Sequence, residues 1–227
     1  MENMKQLIDD EKIYINVEYS FPSSLGNNDA GRYIKEVQGK IYSGESPNNQ
    51  ENELIGYVDF TLLLIESAKG GRFNMRQLFS YDGSLFRYGT AIYDFENDSF
   101  KTNVKNHCDV IFANVCFIER LILKTAYRGH RLGPKIFKDL VGNFESFAGI
   151  FIIEPSPMQF DIVDDNDTVV KDFGLDQFET NRIKAIKHLT AEYESWGFEK
   201  IKGIPDLLFF NTKILNEKFE AINIEEL

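Results

Sequence analysis

The chain of 227 residues has little of the residue types that mark several large classes of protein. Its two cysteines, Cys108 and Cys116, are too few for a disulfide framework. It has three histidines, and although His107 adjoins Cys108, no paired ligand spacing is present. We therefore expect reduced thiols and no metal site.

Long apolar runs and an excess of basic charge are also missing. The longest apolar run, about Phe60 to Ile65, is far shorter than the ~20 residues that a spanning helix needs. The polar N-terminus lacks the apolar core of a signal peptide. The formal net charge of -11 argues against general nucleic-acid binding, which needs a basic face. We expect a soluble, cytoplasmic protein that binds neither membranes nor nucleic acid.

The length of the chain, with 43% hydrophobic residues, predicts a single domain over 1–227 with a sizeable core. In its first half we predict a loop over 66–82 and a helix from an Asp82 cap to about Phe95. Alternation and flanking turn residues also predict strands over 13–19, 33–42 and 54–65.

The second half predicts a βαβ unit. Val115 to Leu123 is almost continuously apolar, which is typical of a central strand. A helix follows Gly133, and Gly149 to Ile153 forms a short buried strand, so the two strands should be parallel. Beyond them we predict an acidic loop over 161–179, which is either solvated or a lid for a cationic acceptor. A helix from about Glu179 to Trp196 and strands over 198–201 and 207–212 should follow. An exposed last strand could pair with a second copy in a homodimer.

The loop Tyr127-Arg-Gly-His-Arg-Leu-Gly133 joins the strand to the helix. Its glycines, its cations and the helix N-terminus that follows are the features of an anion site, since unpaired N–H groups and a partial positive charge favour phosphate. The P-loop and the dinucleotide fingerprint are both absent from the sequence. The remaining candidate is a loop for the pyrophosphate of coenzyme A.

Two motifs resemble the GNAT superfamily of N-acetyltransferases (GNATs). The Tyr127–Gly133 loop is similar to the family's motif A, R/Q-x-x-G-x-G/A, with Arg128 and Gly133 at its ends and Arg131 in place of the middle glycine. The segment Tyr193-Glu-Ser-Trp-Gly-Phe198 resembles the end of the motif B helix, with Ile186 and Leu189 where the family often has Asn and Ala. The resemblance covers roughly residues 75–212, with motif A at about 115–147 and motif B at about 149–198.

The resemblance implies an α/β fold with a central mixed sheet that is splayed between two parallel strands and has helices on both faces. It implies acetyl-CoA as the co-substrate and a small-molecule or peptide amine as the acceptor. By position, it assigns coenzyme binding to Leu121, Leu123, Arg128, Gly129, His130, Arg131, Leu132 and Gly133.

The resemblance also proposes two catalytic residues. Tyr193 is the candidate donor to the leaving thiolate, or else it only packs on the apolar face of its helix. Glu119 is the candidate base, and it shares a face with Leu121 and Leu123 if the strand is regular, which a bulge would change. Alternatively, Glu119 pairs with Arg120 or another cation at the strand edge. Glu154 is a second candidate base, at the end of the next strand.

Two other functions stay open. A GNAT fold can serve as a catalytically silent module for coenzyme A binding or regulation, which Arg131 and the partial motif B favour. An interaction protein without a coenzyme would instead need the cleft between the two strands to be obstructed.

Overall fold

The computed structural model describes residues 14–22, 30–44, 52–108, 112–160 and 172–224. Its β-strands are β1 (Tyr14–Ser20), β2 (Ile34–Gly44), β3 (Glu53–Leu63), β4 (Tyr93–Asp94), β5 (Ser99–Phe100), β6 (Val115–Leu123), β7 (Ile150–Ile153), β8 (Glu199–Ile201) and β9 (Ile204–Asn211). Its α-helices are α1 (Ile65–Gly70), α2 (Met75–Phe79), α3 (Gly83–Ile92), α4 (Thr102–Cys108), α5 (Leu132–Phe144), α6 (Arg182–Ser195) and α7 (Glu217–Glu220). Among the described residues, none of the helices combines the length and the apolarity needed to cross a membrane.

The centre of the molecule is a seven-stranded mixed sheet in the order β1-β2-β3-β6-β7-β9-β8. The strands β6 and β7 are parallel, and the other neighbouring pairs of this sheet are antiparallel. The helix α5 connects the parallel pair, so the predicted βαβ unit and the predicted α/β class with a mixed sheet are confirmed.

Apolar side chains cover both faces of the sheet, and helices lie on each. One cluster joins Phe117 of β6 to residues of α1 to α4, such as Leu78 and Leu85. The other joins Ile118 to residues of α5 and α6, such as Phe137. The alternation along β6 therefore places helices on both faces, as predicted.

The ring of Phe137 is the centre of the second cluster. It packs against five other aromatic rings, three of them edge-to-face, and such aromatic pairs add about 0.5–1.5 kcal/mol each beyond burial of their area. The rings belong to Phe151, Trp196, Phe198, Phe210 and Phe219. The high phenylalanine content thus fixes α5, and with it the loop before α5, against the last strands.

The prediction of a loop over 66–82 is wrong, because this segment contains α1 and α2. The pair Gly70-Gly71 lies at the C-terminal end of α1. The Asn74 side chain caps α2, because it accepts a hydrogen bond from the N–H of Gln77 at 3.0 Å. The predicted Asp82 cap is confirmed, since its carboxylate accepts from the N–H of Leu85 at 2.9 Å. The helix α3 ends at Ile92, where the short β4–β5 hairpin follows.

Two irregularities of β6 open a cleft in the sheet. Its pairing with β7 ends at Ile118 opposite Ile153, while β6 itself continues to Leu123. A bulge opposite Asp59 and Phe60 leaves Glu119 without a partner on β3. After the bulge the strand alternates out of step with its first half.

Candidate functional site

Two adjoining cavities fill the cleft beyond Ile118. The smaller cavity has a volume of about 360 Å³ and is lined by Glu119, Ile153, Glu154, Met158, Glu179 and Ala185 among others. The larger cavity has a volume of about 1030 Å³ and is lined by the predicted coenzyme loop and by residues 221–223 near the end of the chain. Both are lined by Leu121, Ile122, Phe178, Leu189, Glu192 and Tyr193. The predicted coenzyme-binding residues, from Leu121 to Gly133, all line the larger cavity.

The loop of the larger cavity has an unusual backbone. Gly129 has φ 80°, and Arg131 adopts the left-handed conformation at φ 57° and ψ 26° as α5 begins. The Arg131 side chain makes no capping hydrogen bond, so the first-turn N–H groups of Leu132 and Gly133 are not capped by it. The conformation explains why glycine suits this position, and it costs Arg131 about 1 kcal/mol or more.

Gly133 has a packing role that its motif position did not predict. A Cβ atom at this position would lie 2.8 Å from Cζ2 of Trp196. Only glycine lets the start of α5 approach the end of α6 so closely. The glycine therefore closes one wall of the larger cavity, while its predicted contact with pyrophosphate stays a prediction.

The guanidinium of Arg128 binds main-chain carbonyls. Its Nε donates to the carbonyl of Leu123 at 2.8 Å, Nη2 donates to the carbonyl of Phe173, and the group lies 4.1 Å from the ring centroid of Phe178. Burial lowers the pKa of this guanidinium. Arg128 thus ties the end of β6 to the segment before α6, and its contact with phosphate stays a prediction.

Tyr193 stands between the two cavities. It is only 8% exposed, and its ring packs against that of Trp196 with centroids 5.0 Å apart. No described residue forms a hydrogen bond with its hydroxyl, and burial raises the pKa of the phenol above its usual value. The hydroxyl is therefore protonated at neutral pH, as a proton donor must be.

Glu119 lines the smaller cavity, and its carboxylate accepts a hydrogen bond from Thr61 Oγ1 at 2.6 Å. The bulge turns it toward the Thr61 face, whereas Leu123 belongs to the cluster on the opposite face. The strand is therefore not regular, and the bulge places Glu119 on the face opposite to that of Leu123. Burial raises the pKa of Glu119, the Thr61 hydrogen bond opposes the shift, and Asp82, Asp59 and Glu36 add to it.

The alternative that Glu119 pairs with Arg120 is wrong. Arg120 forms its salt bridge with Asp59 of β3 and lies 5.4 Å from the ring centroid of Tyr57. The pKa of Asp59 is nevertheless raised, because burial outweighs the attraction of Arg120. Glu119 itself forms no salt bridge with a described residue.

Glu154 is held by α3, which the sequence did not predict. Arg87 Nη1 donates to its Oε1 at 2.8 Å, a second guanidinium nitrogen binds Oε2, and the hydroxyl of Tyr88 donates to it at 3.2 Å. These hydrogen bonds, led by that of Arg87, lower the pKa of Glu154 despite its burial. Glu154 is therefore a weaker base than Glu119, and its carboxylate ties the segment after β7 to α3.

The two cavities carry opposite charge. The basic residues that line the larger cavity are Arg128, His130, Arg131, Lys135 and Lys218. Glu192 is the acidic residue among its described lining. Around the smaller cavity lie Glu119, Glu154, Glu179 and Glu192, with Arg120 and His188. In the described ranges, no group of three or more His, Cys, Asp and Glu side chains is placed to hold a metal ion.

Comparison of the chain with models of known protein families found no match, and comparison with curated protein sequences found no similar protein.

Proposed function

We propose that the chain is a GNAT-like, acyl-CoA-dependent N-acyltransferase that transfers acetyl from acetyl-CoA to an amine. The observation that carries the proposal is the cleft at the end of the parallel pairing. There β7 stops and β6 continues, the motif A loop lines the larger cavity, and Tyr193 of motif B lines both cavities. Ligands of α/β sheets commonly bind beyond the carboxyl ends of parallel strands.

The larger cavity fits the chemistry of coenzyme A. A pyrophosphate needs N–H donors and nearby cations, and the start of α5 supplies N–H groups next to Arg131 and Lys135. The open space around Gly129, where an added Cβ would have no neighbour within 4 Å, leaves room for phosphate against the backbone. The strand end at Leu121 to Leu123, which has no β7 partner, offers main-chain groups to the pantetheine arm.

The residues around the junction of the cavities supply acid and base. The Glu119 carboxylate removes a proton from the ammonium group of the acceptor, whose nitrogen then bonds to the thioester carbonyl carbon. The carbon–sulfur bond breaks and the sulfur takes the Tyr193 hydroxyl proton. The surplus proton on the acylated nitrogen then returns to Tyr193, and Glu119 releases its proton to water. A raised pKa makes Glu119 a stronger base, and a raised pKa keeps Tyr193 protonated until that step.

A catalytically silent coenzyme A-binding module is the second candidate. Arg131 occupies a left-handed position that suits glycine, and Arg128 occupies the carbonyl of Leu123. Both observations favour a coenzyme-binding loop that differs from the motif A of active transferases. The third alternative, an interaction protein, required an obstructed cleft, and the cleft is open.

Acetyl-CoA binding tests the proposal directly. We expect acetyl-CoA to raise the melting temperature, because a ligand of the native state stabilises it. Arg131→Glu should weaken binding by about tenfold, since it removes and reverses one charge near phosphate. Arg72→Glu is the matched control, because Arg72 also has positive φ, at 56°, and lies outside both cavities. No shift at millimolar acetyl-CoA would overturn the proposal.

Thiol release with a panel of amines then separates an enzyme from a silent module. Release that depends on both acetyl-CoA and an amine supports the transferase. Binding without release for every amine supports the module.

A further inference from the structure

The smaller cavity has more negative charge than its proposed chemistry needs. One carboxylate suffices as the base, yet Glu179 and Glu192 line the cavity as well as Glu119 and Glu154. Glu154 is neutralised by Arg87. No lysine or arginine among the described residues forms a salt bridge with the other three carboxylates.

The hydrogen bonds of these three carboxylates come from neutral donors. Glu119 accepts from the hydroxyl of Thr61, Glu192 accepts from Trp196 Nε1 at 3.1 Å, and Glu179 accepts from the N–H of Asn181 at 2.9 Å. Neutral donors fix the position of a carboxylate and leave its net charge in place. The cavity therefore favours cations at more than one point.

Apolar side chains separate the charged groups. The walls of the smaller cavity include Ile153, Met158, Leu175 and Leu189. Such walls suit methylene groups, whose burial is favourable at roughly 0.8 kcal/mol for each CH₂. A guest with charged ends and an aliphatic middle matches this lining.

Tyr193 marks where the reacting end belongs. It is more than nine-tenths buried, it lines the cavity, and its hydroxyl has no hydrogen-bond partner among the described residues. The Tyr193 hydroxyl, which lines both cavities, and the Glu119 carboxylate, which lines the smaller one, are thus both available to an acceptor in the smaller cavity.

We infer that the acceptor is an aliphatic amine that carries a second positive charge. The reacting nitrogen lies at Glu119 and Tyr193, the methylene chain lies against the apolar walls, and the second ammonium group is held by Glu179 and Glu192. This inference rests on the proposed transferase function and specifies its substrate class. An acceptor with a carboxylate near its amine is disfavoured, because that carboxylate would meet like charge.

Calorimetric binding of putrescine and n-butylamine to the full chain with coenzyme A, which has no acetyl group to transfer, tests the inference. The two probes have the same carbon chain and differ in the second ammonium group. We expect putrescine to bind at least about tenfold more tightly. The double variant Glu179→Gln, Glu192→Gln should remove this preference and leave n-butylamine binding unchanged, because glutamine keeps the hydrogen-bond acceptors.

The control is the double variant Glu194→Gln, Glu199→Gln, which changes net charge equally. Both glutamates form salt bridges outside the cavities, with Lys200 and His107 respectively, so this variant should keep the preference. Equal binding of the two amines, or equal loss in both double variants, overturns the inference. A binding preference without any acyl transfer would support the diamine site and reject the transferase. Transfer to both amines at equal kcat/KM would support the transferase and reject the diamine site.

Discussion

The two cavities share one wall and differ in charge and in the kind of residue that forms them. The larger cavity is bounded by a loop with positive φ angles and cationic side chains, and the smaller cavity by carboxylates on β6 and around α6. Tyr193 belongs to both. A chain with net charge -11 has thus placed cationic side chains around one cavity and carboxylates around the other.

Removal of the proposed base, Glu119, should have the largest effect of the substitutions considered, and the effect should be on kcat. We expect Glu119→Gln to lower kcat by about 10²–10⁴-fold, which is the usual contribution of a positioned general base. Acetyl-CoA binding, measured as the shift in melting temperature, should stay intact. Glu96→Gln, at an exposed position in the β4–β5 turn, is the control and should have wild-type activity.

The pH profile sharpens the same prediction. The pKa of Glu119 is raised, so kcat/KM should fall as the pH drops through that raised value, where the carboxylate becomes protonated. Glu119→Gln should lose this limb of the profile. A limb that persists unchanged in the variant would assign the base to another group.

Tyr193→Phe should separate catalysis from packing. We expect kcat to fall by roughly 10- to 100-fold, while the free energy of unfolding changes by less than about 0.5 kcal/mol, because the hydroxyl has no partner among the described residues. Urea unfolding and thiol release measure the two quantities. Unchanged kcat would leave Tyr193 with a packing role alone.

Two glycines of α5 should respond to alanine with opposite sign. Gly133→Ala should destabilise by about 1–3 kcal/mol, since its Cβ would meet Trp196 at 2.8 Å and displace the wall of the larger cavity. Gly142→Ala should stabilise by roughly 0.4–1 kcal/mol, because nothing lies within 4 Å of its added Cβ and alanine is the better helix former. Urea midpoints of both variants give the comparison, and equal signs would contradict it.

The smallest effect should come from the left-handed arginines. Arg131→Gly and Arg72→Gly should each stabilise by up to about 1 kcal/mol, because glycine adopts their φ of 57° and 56° without penalty. Only Arg131→Gly should weaken acetyl-CoA binding, by a few-fold. A similar loss of affinity in both variants would show that the cation at the larger cavity is unimportant.

The sequence predicted the parts of the fold that depend on local pattern. The apolar run from Val115 to Leu123 predicted the bounds of β6, and the helix predicted after Gly133 corresponds to α5. The helix predicted from about Glu179 to Trp196 corresponds to α6, although its apolar residue Ile183 is 80% exposed. The spacing of apolar residues predicts a helix or a strand, whereas the neighbouring elements in the fold determine which face of it is buried.

The site was predicted less completely, because much of it depends on pairing between distant strands and helices. The bulge that turns Glu119 arises from the register of β6 on β3, and the Arg87–Glu154 salt bridge joins residues far apart in the chain. Arg128 shows the same limit. Its motif position predicted phosphate, whereas its contacts depend on the carbonyls of Leu123 and Phe173.

The early end of β7 also leaves one edge of β6 without a neighbouring strand after Ile118. Unpaired strand edges are where chains add to one another and aggregate. The edge of β6 from 119 to 123 lies within the cleft, which Phe178 and Tyr193 also line. Among the described strands of the seven-stranded sheet, β1 and β8 have the outer edges, so strand addition to this sheet is expected there.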